Sequence, residues 1–185
     1  MEHFWQNIEG WIGDNATYRI VLDEAKDGQH FVEVGVFYGR TAAFMAVEIK
    51  NRGLSVTYDA VDHFNGSAEH GDLSATMYKK CLQNLEPVKD YVNVYRLSSE
   101  EAVDNYKDGS LDFVFIDASH DYHSVLNDMR MWYPKVKAGG IFAGDDCQPG
   151  WPGVIRALHE FSSEIGLEFI VVPTTCHWLM RKPSA

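Results

Sequence analysis

Apolar residues follow two spacings along this chain, and the spacings alternate from one segment to the next. Short runs rich in Val, Ile and Phe are separated by longer segments whose apolar positions recur at helical intervals. Alternating strands and helices predict a doubly wound, Rossmann-like α/β fold with a mostly parallel sheet. We expect one domain over residues 1–185, with a helical N-terminal segment at 1–29 packed on it.

The strand-like runs number seven in this interpretation. They are predicted at residues 30–34, 55–61, 91–97, 111–116, 140–144, 168–172 and 177–181. One or two helices are predicted within residues 2–27, with Asp14 or Asn15 as the N-cap of the second. Further helices are predicted at residues 39–51, 73–85, 100–106, 121–133 and 154–165. The short Pro173-Thr174-Thr175 link predicts that the last two strands form an antiparallel hairpin. The polar stretch at 63–72 predicts either a lid or a plain surface loop.

Composition narrows the class of partner. The 185 residues carry a formal net charge of −11, which argues against a nucleic-acid partner because binding phosphates needs a basic surface. We find no apolar run long enough to cross a membrane and no leader-like N-terminus, so we expect a cytoplasmic protein without a membrane partner. The three cysteines, Cys81, Cys147 and Cys176, lack metal-type spacing and predict free thiols.

The most informative segment joins the first strand to the first long helix. It places an acid, Glu33, near the strand end and then breaks the chain at Gly35 and Gly39. Glycine permits a sharp turn and a close approach of a ligand to bare backbone, and the free N–H groups of a helix N-terminus follow. This is the geometry of a nucleotide site at the carboxyl edge of a parallel sheet. Phe37 occupies the middle glycine position of a dinucleotide fingerprint, which disfavours NAD and FAD.

The pattern E-x-G-x-F-x-G-R-T at residues 33–41 resembles the first motif of class I S-adenosylmethionine-dependent methyltransferases, closest to their small-molecule O-methyltransferases. The resemblance implies S-adenosylmethionine as cofactor. It also implies that Asp62, at the end of the second strand, accepts hydrogen bonds from the ribose hydroxyls. The implied cofactor residues are Glu33, Gly35, Phe37, Tyr38, Gly39, Thr41, Asp62, His63, Ser98, Ser99 and Asp117.

Several of these residues also have a purely structural interpretation. Glu33 could be a buried acid paired with local backbone, and Asp62 could simply begin a loop. Ser98 with Glu101 spells a helix capping box, and His63 could be a surface residue.

Two further strands also end in acids. Asp117 follows the predicted strand 111–116, and Asp145 with Asp146 follows the strand 140–144. If these strands are neighbours, the carboxylates meet at one edge and repel one another, which a hard cation such as Mg²⁺ relieves. Alternatively, the Asp145-Asp146 pair could start a turn and cap the helix that follows.

The acid arrangement is similar to the divalent-metal site of catechol O-methyltransferase-like enzymes and of sugar O-methyltransferases that tailor antibiotics. That resemblance implies Asp117, Asp145 and Asp146 as metal ligands and places His120 where the catechol enzymes carry their base. Histidine suits a base near neutral pH, although His120 could also be a helix-start residue without chemistry. Trp151 is expected in packing or in substrate contact.

These features together predict a metal-assisted O-methyltransferase that acts on a small hydroxylated molecule. Two alternatives stay open: a metal-dependent oxygenase-like member of the same fold, and a protein that binds the nucleoside without turnover. The short N-terminal segment leaves little chain to enclose a substrate, so a homo-oligomer is plausible.

Overall fold

The computed structural model describes residues 1–11, 14–66 and 76–184. Within them, seven strands form one sheet, at His30–Val34 (β1), Thr57–Asp62 (β2), Asn93–Arg96 (β3), Leu111–Ile116 (β4), Val136–Gly144 (β5), Ile170–Val171 (β6) and Trp178–Arg181 (β7). Their order across the sheet is β3-β2-β1-β4-β5-β7-β6, with the first five parallel and β7 antiparallel to both of its neighbours. The predicted doubly wound sheet with an antiparallel C-terminal hairpin is confirmed.

Helices cover both faces of the sheet. They lie at Ala16–Glu24 (α1), Arg40–Arg52 (α2), Met77–Leu85 (α3), Ser99–Val103 (α4), Tyr122–Trp132 (α5) and Pro152–Ile165 (α6). Helices α1 to α3 contribute to one apolar core, and α4 to α6 contribute to the other. Alternate residues of the central strands fill the two cores, so these strands are mostly apolar, with the buried Glu33 of β1 as an exception. None of the helices in the described part of the chain is long and apolar enough to span a membrane.

Strand register determines which side chains meet at the carboxyl edge. Val34 of β1 is paired with Ile116 of β4, which is paired in turn with Gly144 of β5. The residues after these strands therefore emerge side by side. The predicted adjacency of Asp117 and the Asp145-Asp146 pair is confirmed at the level of the backbone.

The fifth strand begins earlier than its sequence predicts. Residues 137–140 predict a turn, but Val136 already pairs with Leu111, and the register shifts before Phe113 pairs with Ile141. Gly139 and Gly140 therefore lie within an irregular stretch of β5 rather than in a turn before it. The bounds of β1 and β4 are as predicted, and the other element boundaries differ from the predicted ones by a few residues. Residues 67–75, in the predicted loop and the predicted helix 73–85, lie outside the described residues.

The N-terminal segment is tied to the start of α2. It contains a short 3-10 turn at Trp5–Asn7 and one α-helix, α1, for which Asn15 is the N-cap residue without a capping side-chain hydrogen bond. The guanidinium of Arg40 donates hydrogen bonds to the carbonyl oxygens of Ile8 and Gly10, at 2.8 and 2.9 Å. The first residues of the chain therefore pack directly beside the glycine turn.

Candidate functional site

The turn between β1 and α2 depends on glycine at position 35. Gly35 has a φ of +94°, and a Cβ at this position would overlap the backbone carbonyl of Asp117 on the neighbouring strand connection. Only glycine therefore allows β1 and β4 to approach here while the chain turns. Phe37, in the middle of the turn, has a φ of 52°, an uncommon conformation for a bulky residue that the surrounding contacts must hold in place.

Asp62 holds that turn from the adjacent strand. Its Oδ2 atom accepts hydrogen bonds from the N–H groups of Val36 and Phe37, both at 2.9 Å, and its Oδ1 atom accepts one from Phe64 at 2.6 Å. The carboxylate therefore lies at the turn, where the sequence predicts that it meets a ribose. That contact with a ribose stays a prediction.

Glu33 and Thr41, two predicted cofactor residues, contact each other inside the protein. The fully buried Glu33 carboxylate accepts hydrogen bonds from the hydroxyls of Thr41 and Tyr58. Burial raises the pKa of Glu33 to about 7, although the two hydrogen bonds oppose this effect. Glu33 is thus a buried acid, as the structural interpretation expected, but its partners are side chains rather than backbone.

The aromatic residues of the turn form a wall beside it. The rings of Phe37 and Tyr38 lie 4.0 Å apart between centroids, and Trp11 of the N-terminal segment lies 5.7 Å from Phe37. The Lys80 ammonium lies 3.9 Å from the centre of the Tyr38 ring. Trp11 is 74% exposed, so this wall has an accessible apolar rim.

The remaining predicted cofactor residues have local partners. Ser98 and Glu101 form the predicted capping box at the start of α4. The Ser99 hydroxyl lies 2.5 Å from the Asp128 carboxylate and accepts a hydrogen bond from the Trp132 indole at 2.8 Å. His63 accepts a hydrogen bond from the N–H of Asn65 and is half exposed. Contacts of Ser98, Ser99 and His63 with a cofactor stay predictions.

A cluster of possible cation ligands lies at the ends of β4 and β5. Asp117, His120 and Asp146 each bring one ligand atom within 4.8 Å of the others. His120 Nε2 lies 2.8 Å from Asp146 Oδ2. Burial, followed by repulsion from Asp145 and Asp146, raises the pKa of Asp117 well above its usual range. A cation would relieve this repulsion, so the donor set, two carboxylates and an imidazole, fits a divalent metal.

Asp145 lies close enough to Asp117 to raise its pKa, and it also has partners of its own. Its Oδ1 atom accepts hydrogen bonds from the N–H of Asp146 at 2.6 Å and from the thiol of Cys176 at 2.8 Å. The structure brings Asp117 and Asp146 together with His120, and metal binding by Asp117, Asp145 and Asp146, which the resemblance implies, stays a prediction. The side chain of Asp146 reaches His120 from a backbone with a φ of 64°, and Asp146 does not cap α6, whose N-cap residue is Trp151.

Two features of the site went unrecognised in the sequence. Cys176 lies beside Asp145, and the ring of Trp151 stacks on His120 with centroids 4.1 Å apart and an angle of 29° between planes. The predicted hairpin of the last two strands carried only part of the signal for Cys176, because Cys176 reaches the end of β5 only if β7 also pairs with β5. No comparable signal places Trp151 on His120.

Comparison with known proteins identifies the family. A family model described as a methyltransferase domain matches residues 32–147, which is more than half of the chain. The chain belongs to this methyltransferase family. The family predicted from the motif at residues 33–41 is therefore confirmed, and the matched region of the chain begins in β1 and ends just after Asp145 and Asp146.

Two curated relatives are longer than this chain. Protein y4gI of Sinorhizobium fredii is 23% identical over 146 residues, which cover 79% of this chain and 16% of that protein. Protein R132 of Acanthamoeba polyphaga mimivirus is 28% identical over 148 residues, which cover 76% of this chain and 62% of that protein. The chain thus spans less than two thirds of the length of either relative.

Solved structures share the fold. The O-methyltransferase NovP superposes with a TM-score of 0.72 at 18% identity, over 91% of this chain and 78% of NovP. An O-methyltransferase from Bacillus cereus, in complex with SAH, superposes with a TM-score of 0.64 at 15% identity, over 96% of this chain and 86% of that one. At these identities the similarity shows the fold of this chain and no more.

Proposed function

We propose that this methyltransferase transfers a methyl group from S-adenosylmethionine to a hydroxyl of a small molecule, assisted by a divalent cation. The observation that carries the proposal is the Asp117, His120 and Asp146 cluster, which lies one strand away from the glycine turn. A methyl donor at the turn and a hydroxyl at the cluster would be neighbours on the same edge of the sheet.

The glycine turn supports the choice of cofactor. It presents the N-terminus of α2 and the Asp62 carboxylate, and its middle position carries Phe37 where a pyrophosphate would need glycine. The Bacillus cereus O-methyltransferase of the same fold is in complex with SAH, the demethylated form of this cofactor. We assign the residues of the turn and Asp62, with His63, Ser98, Ser99 and Asp117, to the cofactor side of the site.

Methyl transfer to a hydroxyl requires a protein group that accepts the hydroxyl proton. The His120 imidazole takes the proton of the substrate hydroxyl on its unprotonated ring nitrogen, and the imidazolium that forms is stabilised by the Asp146 carboxylate, which lies 2.8 Å from Nε2. A divalent cation held by Asp117 and Asp146 would lower the pKa of the bound hydroxyl and orient it. The stacked Trp151 ring restrains the His120 imidazole. No covalent intermediate on the enzyme is required, so the site acts by positioning and electrostatics.

Ligand binding separates the parts of the proposal. Thermal unfolding is measured with SAH, S-adenosylmethionine or NAD, each with Mg²⁺ or with a chelator. SAH at 100 times its dissociation constant adds about 2.7 kcal/mol of stability. Stabilisation by NAD but not by SAH refutes the assignment of S-adenosylmethionine as the cofactor. If the melting temperature is the same with Mg²⁺ as with chelator, both in the presence and in the absence of SAH, the proposed binding of a divalent cation is refuted.

His120→Gln tests the base. We expect methyl transfer to a panel of sugars, catechols and polyols to fall roughly 10²- to 10⁴-fold while SAH affinity is unchanged. His123→Gln is the matched control, because His123 is a neighbouring histidine outside the cluster. Undiminished transfer by His120→Gln would refute the role of His120. A wild-type protein that binds SAH but transfers to no acceptor would favour nucleoside binding without turnover.

An oxygenase-like activity is the second candidate. The presence of His120 among the cluster donors favours it, because iron accepts imidazole together with carboxylates. Tight binding of Fe²⁺ with oxygen consumption, and no methyl transfer, would support this candidate instead.

A reducing compartment fits the state of the thiols. Cys81, Cys147 and Cys176 are all free, and Cys81 is buried. We therefore propose that the protein works in the cytoplasm, as expected from its sequence.

A further inference from the structure

Helix α1 directs its N-terminus toward the edge of the sheet that carries the candidate site. At its start, the Thr17 hydroxyl oxygen lies 2.9 Å from Nδ1 of His177, the residue just before β7. At its end, Glu24 accepts a hydrogen bond from Arg181, the last residue of β7, at 2.8 Å. Because β7 is antiparallel to β5, the first residues of β7 lie beside the end of β5. The start of α1 therefore lies at the carboxyl edge of the sheet.

Two buried oxygen atoms at this end of α1 have no hydrogen-bond partner in the described part of the chain. They are the Oδ1 atom of Asn15 and the hydroxyl oxygen of Tyr18. The two residues are only 7% and 1% exposed, so bulk water does not reach these atoms. They are three positions apart, a spacing that places side chains on one face of a helix. Because an unpaired buried oxygen costs free energy, the pair indicates that a ligand supplies the missing partners.

The same end of α1 offers donors for an anion. Asn15 is the N-cap residue, but its side chain makes no capping hydrogen bond, and the first turn contains no acidic residue. The first N–H groups of a helix have no partner within the helix and carry a partial positive charge. A carboxylate placed there would accept hydrogen bonds from these N–H groups and from the Tyr18 hydroxyl.

Acidic groups beside Tyr18 favour a cation close by. The ring of Tyr18 lies 4.8 Å between centroids from that of Phe115, which is paired in register with Glu33. Burial, followed by the charges of Glu33 and Asp117, raises the pKa of Tyr18 well above its usual range, so its hydroxyl keeps its proton and can donate. A positively charged group of a ligand would face these acids, and the Oδ1 atom of Asn15 could accept a hydrogen bond from it.

We propose that Asn15 and Tyr18, with the N-terminus of α1, bind the amino acid group of S-adenosylmethionine. The carboxylate of this group accepts hydrogen bonds from the Tyr18 hydroxyl and from the first N–H groups of α1. Its ammonium donates to Asn15 Oδ1 and faces the acids beside Tyr18. An α-amino acid group carries both charges on neighbouring atoms, as these donors and acceptors require. The inference rests on the proposed function, which supplies the cofactor.

Calorimetric titration of the full chain with two ligands tests the inference. SAH carries the amino acid group, whereas 5′-methylthioadenosine has the same nucleoside and sulfur without it. We expect the wild type to bind SAH more tightly than 5′-methylthioadenosine. Tyr18→Phe should weaken SAH binding roughly tenfold and leave 5′-methylthioadenosine binding unchanged, and Asn15→Ala should act in the same direction. Tyr106→Phe is the matched control and should change neither affinity, because this buried hydroxyl already donates to Asp59.

Two analogues of SAH assign the two ends of the amino acid group. The affinity for deaminated SAH should be insensitive to Asn15→Ala, and the affinity for decarboxylated SAH should be insensitive to Tyr18→Phe. The reverse pattern would overturn the assignment of the ammonium to Asn15 and of the carboxylate to Tyr18.

The stability of the ligand-free protein separates a role in binding from a role in folding. Tyr18→Phe removes a hydroxyl that has no partner among the described residues, so its melting temperature without ligand should be no lower than that of the wild type. If the preference for SAH over 5′-methylthioadenosine is the same in the wild type and in both variants, the inference is overturned, as expected if only a buried water meets these oxygens. SAH binding itself would then still support the proposed function. If the wild type binds neither ligand, both proposals are refuted.

Discussion

The stability of the folded protein should depend on pH because the buried carboxyl of Glu33 has a raised pKa. Burial raises the pKa of this carboxyl from 4.5 to about 7, so the folded state holds its proton more tightly than the unfolded state does. The stabilisation is complete below pH 4.5 and is lost as the pH rises through about 7. The difference of about 2.5 pH units corresponds to on the order of 3 kcal/mol.

Glu33→Gln removes this titration while preserving the shape of the side chain and hydrogen bonding to Thr41 and Tyr58. We expect the variant to gain stability relative to the wild type as the pH rises, by on the order of 3 kcal/mol between pH 4.5 and 8. Urea unfolding at a series of pH values measures the difference, in which carboxyls common to both proteins cancel.

Glu48→Gln is the control for the Glu33 experiment. Burial alone would raise the pKa of Glu48, but hydrogen bonds from Arg52 and His3 lower it overall. This carboxyl therefore titrates below the pH range in which Glu33 titrates. The difference between Glu48→Gln and the wild type should stay flat from pH 5 to 8. A flat curve for Glu33→Gln as well would refute the argument that Glu33 is protonated because it is buried.

Three further outcomes follow from the geometry. Gly35→Ala should destabilise the protein by more than about 3 kcal/mol in urea unfolding, because the new methyl group overlaps the Asp117 carbonyl; near-native stability would contradict the close approach. Ser98→Ala should cost about 1 kcal/mol through loss of the capping box, and no change would argue against that cap. Arg40→Gln should release the N-terminal segment, seen as faster amide exchange at residues 8–10, and unchanged protection would mean that other contacts hold it.

Sequence patterns predicted the sheet well where burial alone decides the strand. Strands β1 and β4 have the predicted bounds, because each ends in a run of four buried residues at which the central sheet leaves little choice of position. Strand β5 was predicted too short, since pairing of Val136 with Leu111 is a tertiary contact that overrides the turn preference of the glycines.

The site was predicted at the level of the sheet edge but not of its side chains. Parallel strands deliver Asp117 and Asp145 to one edge whatever their rotamers. Which acid faces His120 depends on the left-handed backbone at Asp146, and no residue pattern predicts that an aspartate adopts it. The position of Cys176 beside Asp145 likewise depends on the place of β7 between β5 and β6.

The hydrogen bonds of Asp62 have a consequence for any occupant of the glycine turn. Because one carboxylate oxygen already serves the amides of Val36 and Phe37, a ligand that engages this acid must share it with them or displace them. Its measured affinity then includes the free energy of rearranging the turn. Recognition and loop conformation are thermodynamically linked at this position, and a substitution that stiffens the turn changes affinity without touching the ligand.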